Sequence, residues 1–228
     1  MKVIGLIGGM SWESTVVYYQ LVNRMVREKL GGLHSAELLM WSFDFARIEQ
    51  LQAAQDWDGA TREMCLAAKR LQNGGAECIV ICTNTMHKMA DEVAQSVDIP
   101  VLHIADATAR AISVAGSQRP LLLATRYTME QDFYTGRLRH QHQIDVQIPD
   151  EKDRETVHNI IYNELCQGII EQSSRQQYLD VVSRYPHTDG VIFGCTEVGL
   201  LVRPDDFSVP AFDTTELHAR EAVSFSLS

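Results

Sequence analysis

A strand-end pattern occurs twice in this sequence, and that repeat constrains the fold more than any other feature. Residues 79–85 read Ile-Val-Ile-Cys-Thr-Asn-Thr and residues 191–197 read Val-Ile-Phe-Gly-Cys-Thr-Glu, so that Thr83 aligns with Cys195. Two further pairs of residues match at similar separations along the chain. Ser11 and Thr128 lie upstream of the two segments, and Pro100 and Pro210 lie downstream of them. Three matched pairs in one order predict a chain built from two equivalent halves.

Short apolar runs alternate with longer segments of helical periodicity. Residues 78–81 and 191–193 are apolar on both faces, as buried parallel strands are. The alternation predicts an α/β fold with mostly parallel sheets. We expect one half to comprise residues 1–104 plus 211–228 and the other residues 105–210. The predicted strands are 2–7, 36–42, 77–82, 100–103, 119–124, 143–148, 190–194 and 209–212. The predicted helices are 13–29, 58–73, 86–96, 105–115, 128–140, 153–171, 173–185 and 215–226.

Thr83 and Cys195 both stand where a predicted parallel strand stops, and ligands bind at the carboxyl ends of such strands. If the halves face each other, the active site lies in the cleft between them. A helix start beside each strand end is expected to lower the pKa of a thiol and to bind carboxylates. Two groups on opposite sides of a cleft suit the removal of an α-proton from one face and its return to the other.

Composition excludes several classes of protein. The formal net charge of −10 argues against nucleic acid and anionic membrane as partners. No apolar run has the length of a membrane span, and residues 1–9 read as a first strand rather than a signal peptide. The five cysteines are odd in number and include no Cys-x-x-Cys pair, which favours reduced thiols in the cytoplasm and disfavours a zinc site.

Three motifs resemble those of the aspartate/glutamate racemase family, in the branch of bacterial aspartate racemases and broad-specificity amino-acid racemases. They are Gly8-Gly9-Met10-Ser11, Thr83-Asn84-Thr85-Met86-His87 and Gly194-Cys195-Thr196-Glu197. The resemblance extends over nearly the whole chain. It implies two pseudo-symmetric α/β domains, a two-base mechanism without pyridoxal phosphate or another cofactor, a small amino-acid substrate and a homodimer.

The chain departs from the family pattern at one catalytic position. The family motif begins Cys-Asn-Thr, whereas here Thr83 stands first and Cys82 lies one residue earlier. Neighbouring strand residues point to opposite faces, so we interpret Thr83 as facing the substrate and Cys82 as packing. A local bulge that turns Cys82 into the site stays open as an alternative.

The resemblance implies that Cys195 is the base for the L-enantiomer. Threonine is a far weaker base than a thiolate, because its hydroxyl is hardly ionised near neutrality. We therefore hypothesise that L-substrates react much better than D-substrates, or that racemisation is slow overall.

The resemblance also suggests residues that bind the substrate. Asn84, Thr85 and Thr196 offer donors at the two strand ends. Met10 lies in a glycine turn whose amides can hold a carboxylate, and Thr125 is expected to mirror it in the second half.

Other candidates have two interpretations each. Glu197 and His87 either orient the thiol or are ordinary first-turn residues. Gln52, or Arg47 beside it, is the candidate reader of a side-chain carboxylate, although Arg47 is equally a solvated surface charge. No lysine lies near residues 164–167, which leaves room for glutamate or neutral amino acids as substrates.

Several other functions are compatible with the sequence. They are a broad-specificity racemase, a single-cysteine decarboxylase or isomerase of small acids, and a catalytically silent amino-acid-binding protein. A pyridoxal phosphate enzyme is disfavoured, because no lysine stands at a strand end to form a Schiff base. The remaining cysteines, Cys65, Cys78 and Cys166, are interpreted as core or surface filler.

Overall fold

The computed structural model describes all residues from 1 to 228, and the chain divides into two compact units. The first unit comprises residues 1–103 and 218–228, and the second comprises residues 104–217. No helix combines the length and the apolar character that a membrane span requires.

The first unit is a four-stranded parallel sheet flanked by helices. Its strands lie in the order β2-β1-β3-β4. The elements in chain order are β1 (Ile4–Gly8), α1 (Trp12–Leu30), β2 (Leu38–Ser42), α2 (Phe45–Ala53), α3 (Trp57–Asn73), β3 (Cys78–Ile81), a 3₁₀ helix (Thr85–Met89), α4 (Ala90–Gln95) and β4 (Val101–Leu102).

Side chains of β3 alternate between two apolar clusters. Ile79 and Ile81 belong to a cluster with residues of α2 and α3. Cys78 and Val80 belong to a cluster with residues of α1. This is the period of two that a strand imposes, and it shows why the run is apolar throughout.

The second unit contains a three-stranded parallel sheet in the order β5-β6-β7. Its elements are α5 (Ile104–Ala115), β5 (Leu121–Ala124), α6 (Arg126–Glu130), α7 (Asp132–His142), α8 (Glu151–Asn163), a 3₁₀ helix (Leu165–Gln167), α9 (Gln172–Ser183), β6 (Val191–Gly194), α10 (Val198–Leu201), a 3₁₀ helix (Pro204–Asp206), β7 (Ala211–Asp213) and the start of α11 (Thr214–Ser226).

The two sheets share a topology. In the first, β1 pairs with β3 and β3 with β4; in the second, β5 pairs with β6 and β6 with β7. The repeated motifs follow β3 and β6, which are the second strands of these two series. The strand order thus matches the sequence repeat.

The return of the chain to the first unit comes later than the sequence predicts. The predicted return is at residue 211, but β7 pairs with β6 and belongs to the second unit, so the return comes at His218, inside α11. The C-terminal part of α11 is anchored in the first unit, where His218 Nε2 donates to the Leu102 carbonyl at 2.7 Å.

The predicted strand at 143–148 is wrong. Its alternation reflects burial, because Ile144 and Val146 are both buried. Only Gln147 forms a bridge, to Leu121 of β5, and Pro149 follows two residues later. A proline cannot donate to a ladder, which is consistent with pairing that stops after one residue.

Candidate functional site

The segment after β3 carries Thr83, Asn84 and Thr85. Thr83 is half-buried, whereas Asn84 and Thr85 are buried. Cys82 lies in the same core cluster as Cys78 and Val80 and is 1% exposed. Burial raises the pKa of the Cys82 thiol far above its ordinary value. The strand alternation thus continues through Cys82, which places its side chain in the core.

The backbone of Thr83 is held by a histidine. His87 Nδ1 donates to the Thr83 carbonyl oxygen at 2.8 Å, since a carbonyl can only accept. His87 is buried, and its ring meets that of His103 with centroids 4.7 Å apart. His87 therefore holds the turn that carries Thr83.

Gln52 and Arg47 have separate environments although both lie on α2. Gln52 is buried, and its Nε2 lies 3.0 Å from the sulfur of Met86, next to Thr85. Arg47 is largely exposed and forms an ion pair with Glu63 of α3. The structure thus brings Gln52 to the strand-end segment and leaves Arg47 on the surface.

The turn between β1 and α1 is tightly packed. Met10 is buried in the core cluster that also contains Ile48 and Met86, so only its backbone is available to a ligand. Gly9 has φ +78°, and a Cβ there would lie 2.3 Å from the Phe43 carbonyl oxygen. Ser11 caps α1, with its hydroxyl accepting from the backbone N–H of Ser14.

Thr125 occupies the corresponding turn in the second unit, but it mirrors Ser11 rather than Met10. Its hydroxyl caps α6 by accepting from the backbone N–H of Thr128 at 3.4 Å. The two hydroxyls, Thr125 Oγ1 and Thr128 Oγ1, lie 3.1 Å apart, as the Ser11 and Ser14 hydroxyls lie 3.3 Å apart. The predicted match of Ser11 with Thr128 is therefore off by one helical turn.

Cys195 follows β6 immediately, beside Thr125. Ala124 and Gly194 are register partners at the ends of β5 and β6, so Thr125 and Cys195 are the next residues along paired strands. Cys195 Sγ donates to Glu197 Oε2 at 2.9 Å, and Thr196 Oγ1 donates to the same oxygen at 2.7 Å. All three residues of this Cys-Thr-Glu segment are buried.

The electrostatics at Cys195 oppose the expectation from sequence. Burial raises the pKa of the Cys195 thiol well above its ordinary value, and the charge of Glu197 raises it further. The backbone N–H of Glu197 lowers the pKa, but this effect is smaller. The helix that follows, α10, has only four residues and supplies little dipole. The resting side chain is therefore a protonated thiol.

Cys166 belongs to the same cluster, so its interpretation as filler misses a contact of the site. Cys166 Sγ lies 3.8 Å from Glu197 Oε1, the oxygen that Cys195 does not contact. The nearby hydroxyl of Tyr178 is fully buried and has no hydrogen-bond partner. Nothing in the sequence pairs Cys166 with Glu197.

The predicted site residues thus form two groups. In the first unit, Thr83, Asn84 and Thr85 lie together, with Gln52 joined to them through Met86. In the second unit, Thr125, Cys195, Thr196 and Glu197 lie together. No three His, Cys, Asp or Glu side chains come together in a way that could hold a metal ion.

Solved structures place this fold among the two-domain α/β racemases. A Yersinia pestis protein provisionally named an Asp/Glu racemase is 53% identical, with each chain covered completely and a TM-score of 0.93. An aspartate racemase homologue from Pyrococcus horikoshii OT3 is 34% identical, again over the whole of both chains, with a TM-score of 0.87.

Sequence comparison then gives the family. The model of the Asp/Glu/hydantoin racemase family matches residues 7–222, so the chain belongs to that family and is an enzyme of the isomerase class. A curated relative, the broad specificity amino-acid racemase RacX of Bacillus subtilis (strain 168), is 21% identical over 97% of this chain and 96% of its own.

Proposed function

We propose that this enzyme racemises aspartate, glutamate or both without a cofactor, with Cys195 as the base for the L-enantiomer and Thr83 in place of the second cysteine. The observation that carries the proposal is the Cys195–Glu197 contact at the end of β6. A thiol beside a carboxylate at a strand end is the arrangement expected of an activated nucleophile or base. Thr83 holds the corresponding position after β3.

In the proposed reaction, Cys195 is the stronger base and Thr83 is the weaker group. The Cys195 thiolate takes the α-proton of the L-amino acid, and the electron pair left on the α-carbon is delocalised into the carboxylate. Thr83 serves the opposite face of the α-carbon. Its hydroxyl is a poor base near neutrality, so proton removal from the D-enantiomer is the slower direction.

Substrate binding is assigned to donors in each group. Asn84 and Thr85 in the first unit, and Thr125 and Thr196 in the second, supply hydroxyl and amide groups at the strand ends. Met10 contributes its backbone, since its side chain is in the core. Glu197 acts on Cys195 and on Thr196 rather than as a direct substrate ligand.

One observation favours broader specificity as a second candidate. The residue that the structure brings to the strand-end segment from α2 is Gln52, a neutral amide, while the cation Arg47 is paired with Glu63. A neutral amide discriminates weakly between a carboxylate and an uncharged side chain, because it can both donate and accept. RacX is named for broad specificity, in keeping with this candidate.

The test is α-proton exchange in D₂O followed by NMR, with L-aspartate, D-aspartate, L-glutamate and D-glutamate offered separately and no cofactor added. Wild type is expected to exchange the L-enantiomers faster. Cys195→Ser is expected to lose at least about a hundredfold, the contribution of a positioned acid–base group. Cys65→Ser is the matched control, because Cys65 lies in α3 of the first unit and contacts the Glu92 carbonyl.

The variant Thr83→Ala distinguishes proton transfer at the two faces of the α-carbon. It is expected to reduce exchange from the D-enantiomer and to leave exchange from the L-enantiomer largely intact. Equal rates from both enantiomers in Thr83→Ala would remove Thr83 from the mechanism. Exchange of neutral amino acids at comparable rates would favour the broad-specificity candidate.

We also propose that the enzyme is a cytoplasmic homodimer. The support for the compartment is that all five cysteines are free thiols, which a reducing environment maintains. The support for the dimer is the family alone. Light scattering coupled to size exclusion measures the mass directly, and a mass of 25.7 kDa would identify a monomer.

A further inference from the structure

One face of α1 carries large apolar side chains that the first unit does not cover. Trp12, Val16 and Tyr19 recur at intervals of four and three residues, and they are 64%, 41% and 50% exposed. This spacing puts them in one row along the helix. Tyr18 and Val22, which point to the other side, are fully buried in the core. A row of exposed apolar side chains that ends in a tryptophan is typical of a protein–protein contact.

The row leads into a groove at the C-terminal end of α1. Residues 31–36 return along the helix, where the backbone N–H of Ala36 donates to Asn23 Oδ1 at 3.0 Å. The groove between this segment and α1 has a volume of about 460 Å³, and its lining includes Tyr19, Arg27 and Leu33. The side chain of Leu33 is completely exposed. The groove therefore offers an apolar side chain and a guanidinium to whatever enters it.

The two ends of this face complement each other. The N-terminal end presents the indole of Trp12, and the C-terminal end presents the groove beside Arg27. These two residues lie about 22 Å apart along the axis of α1, so Trp12 cannot reach the groove of its own chain. The point midway between them falls between Tyr19 and Gln20. A twofold rotation about that point brings the indole of one chain to the groove of another.

We propose that this face, formed by α1 and residues 31–36, is the contact between two copies of the chain. The copies are related by a twofold axis that passes between Tyr19 and Gln20, so the two α1 helices run antiparallel. Each Trp12 enters the groove of the partner subunit, where its ring packs on Leu33 and receives the guanidinium of Arg27 on its face. The inference rests on the proposed homodimer and adds the surface by which that dimer forms.

Charge and symmetry favour a second copy in this orientation as the occupant. The first turn of α1 contains the acidic Glu13, and the last turn contains the basic Arg27 and Lys29. An antiparallel pair brings the acidic turn of each helix to the basic turn of the other, whereas a parallel pair brings like charges together. Because the indole and the groove lie on one face, a single twofold axis forms both contacts at once. The chain thus supplies both halves of the contact.

Sedimentation equilibrium over a range of concentrations measures the dissociation constant of the dimer. Trp12→Lys is expected to raise this constant at least about a hundredfold, because a tryptophan anchor is lost twice in each dimer. Adding Arg27→Glu to Trp12→Lys is expected to recover at least about tenfold, since opposite charges then face each other. Leu66→Lys is the matched control, because Leu66 of α3 is an exposed apolar residue of the same unit, and it is expected to stay within about twofold of wild type.

Gln20→Cys tests the position of the twofold axis. The two introduced thiols are neighbours across the axis, so a short bis-maleimide is expected to link most chains into covalent dimers on a denaturing gel. Glu28→Cys is the matched control, because Glu28 is exposed on the same helix and its two copies lie about 25 Å apart along the helix direction. Wild type gives the background from the five native cysteines.

The possible failures are distinguishable. A wild-type dimer whose dissociation constant is unchanged in Trp12→Lys would overturn this surface and leave the homodimer standing. Equal cross-linking of Gln20→Cys and Glu28→Cys would overturn the antiparallel arrangement, and no recovery in the double variant would overturn the pairing of Trp12 with Arg27. Wild type that sediments at 25.7 kDa at every concentration would overturn both the homodimer and this surface. The α-proton exchange assay tests the proposed reaction independently of all these results.

Discussion

At the scale of single residues, Cys82 and Thr83 are neighbours in the chain, but their side chains lie in different environments. Cys82 continues the alternation of β3 into the core cluster formed with α1, and Thr83 is the first residue beyond it that is partly exposed. This was predictable, because the period of two is a property of the strand. The alternative was a bulge that turns Cys82 into the site. The register of β3 with β1 is continuous from Cys78 to Ile81, and Cys82 lies in the core cluster beyond it.

We predict that Cys82→Ala keeps α-proton exchange within about twofold of wild type and lowers the free energy of unfolding by about 1–2 kcal/mol, the cost of a small cavity. Urea unfolding and the NMR exchange assay measure the two quantities. Cys78→Ala is the matched control, since Cys78 is buried in the same cluster on the same face of β3. Loss of exchange in Cys82→Ala alone would restore Cys82 as a candidate base.

Asp153 is a second residue whose role the structure defines. Arg184 donates to both of its carboxylate oxygens and Tyr185 to one of them, with the Arg184 Nε–Asp153 Oδ2 distance at 2.9 Å. The Asp153 side chain is 4% exposed. The hydrogen bonds from Arg184 hold the pKa of this carboxyl below its ordinary value.

We predict that Asp153→Asn lowers the free energy of unfolding by about 2–3 kcal/mol at neutral pH, the value of hydrogen bonds to a charged group. Because the folded-state pKa is depressed, this contribution is present above the ordinary pKa of aspartate. It is lost as pH falls through the folded-state pKa. Urea unfolding across pH measures the difference, with the exposed Asp180→Asn as control. A difference that stays constant down to strongly acidic pH would contradict the assignment.

At the scale of elements, the turn from β1 to α1 is the most constrained connection. The first unit places Gly9 and Met10 between the end of β1 and the cap Ser11, whereas in the second unit Thr125 caps α6 directly after β5. The second unit lacks two such residues, so its capping hydroxyl comes directly after β5, at Thr125 rather than at the predicted Thr128. The backbone of Gly9 passes so close to Phe43 that no side chain fits.

We predict that Gly9→Ala lowers the free energy of unfolding by more than about 3 kcal/mol, because overpacking against backbone atoms adds to the strain of a positive φ. Gly31→Ala is the matched control. Gly31 has φ +76°, but a Cβ added there would have no atom within 4 Å, so it isolates the conformational contribution at about 1 kcal/mol. Similar losses for the two variants, measured by thermal or urea unfolding, would show that close packing at Gly9 is unimportant.

Sequence patterns predict best the elements whose apolar residues recur with a clear period. The strands β3, β5 and β6 and the helices α1 and α3 lie within about two residues of their predicted bounds, as expected for long periodic segments. Helix α2 is not among the predicted helices, because its nine residues are too few to show a clear helical period. The pairing of Cys166 with Glu197 is out of reach of sequence patterns, since it depends on how two distant segments approach each other in three dimensions.

At the scale of the whole molecule, the two units differ in how their chains are assembled. Residues 104–217 run continuously through the second unit and contain a complete apolar cluster. The first unit is discontinuous, and Ala219, Ala222 and Val223 of α11 fill one of its two clusters. The backbone N–H of Lys2 also donates to the Ser226 carbonyl.

We predict that residues 104–217 fold cooperatively as an isolated chain and that residues 1–103 do not. Circular dichroism and urea unfolding distinguish the two. The matched control joins His103 to His218 through a short Gly-Ser linker, which is feasible because Leu102 and His218 are hydrogen-bonded at 2.7 Å. This chain is expected to fold, and cooperative folding of residues 1–103 alone would show that α11 is dispensable.

The position of α11 has a consequence for biosynthesis. Domains generally fold as they emerge from the ribosome, N-terminal part first. Here the N-terminal unit receives its closing helix from residues 218–228, which are translated after the whole of the second unit. The C-terminal unit is therefore complete before the N-terminal one. A nascent chain released before residue 218 would contain the whole Cys195–Glu197 pair in a finished unit, while the unit that carries Thr83 still lacked part of its core.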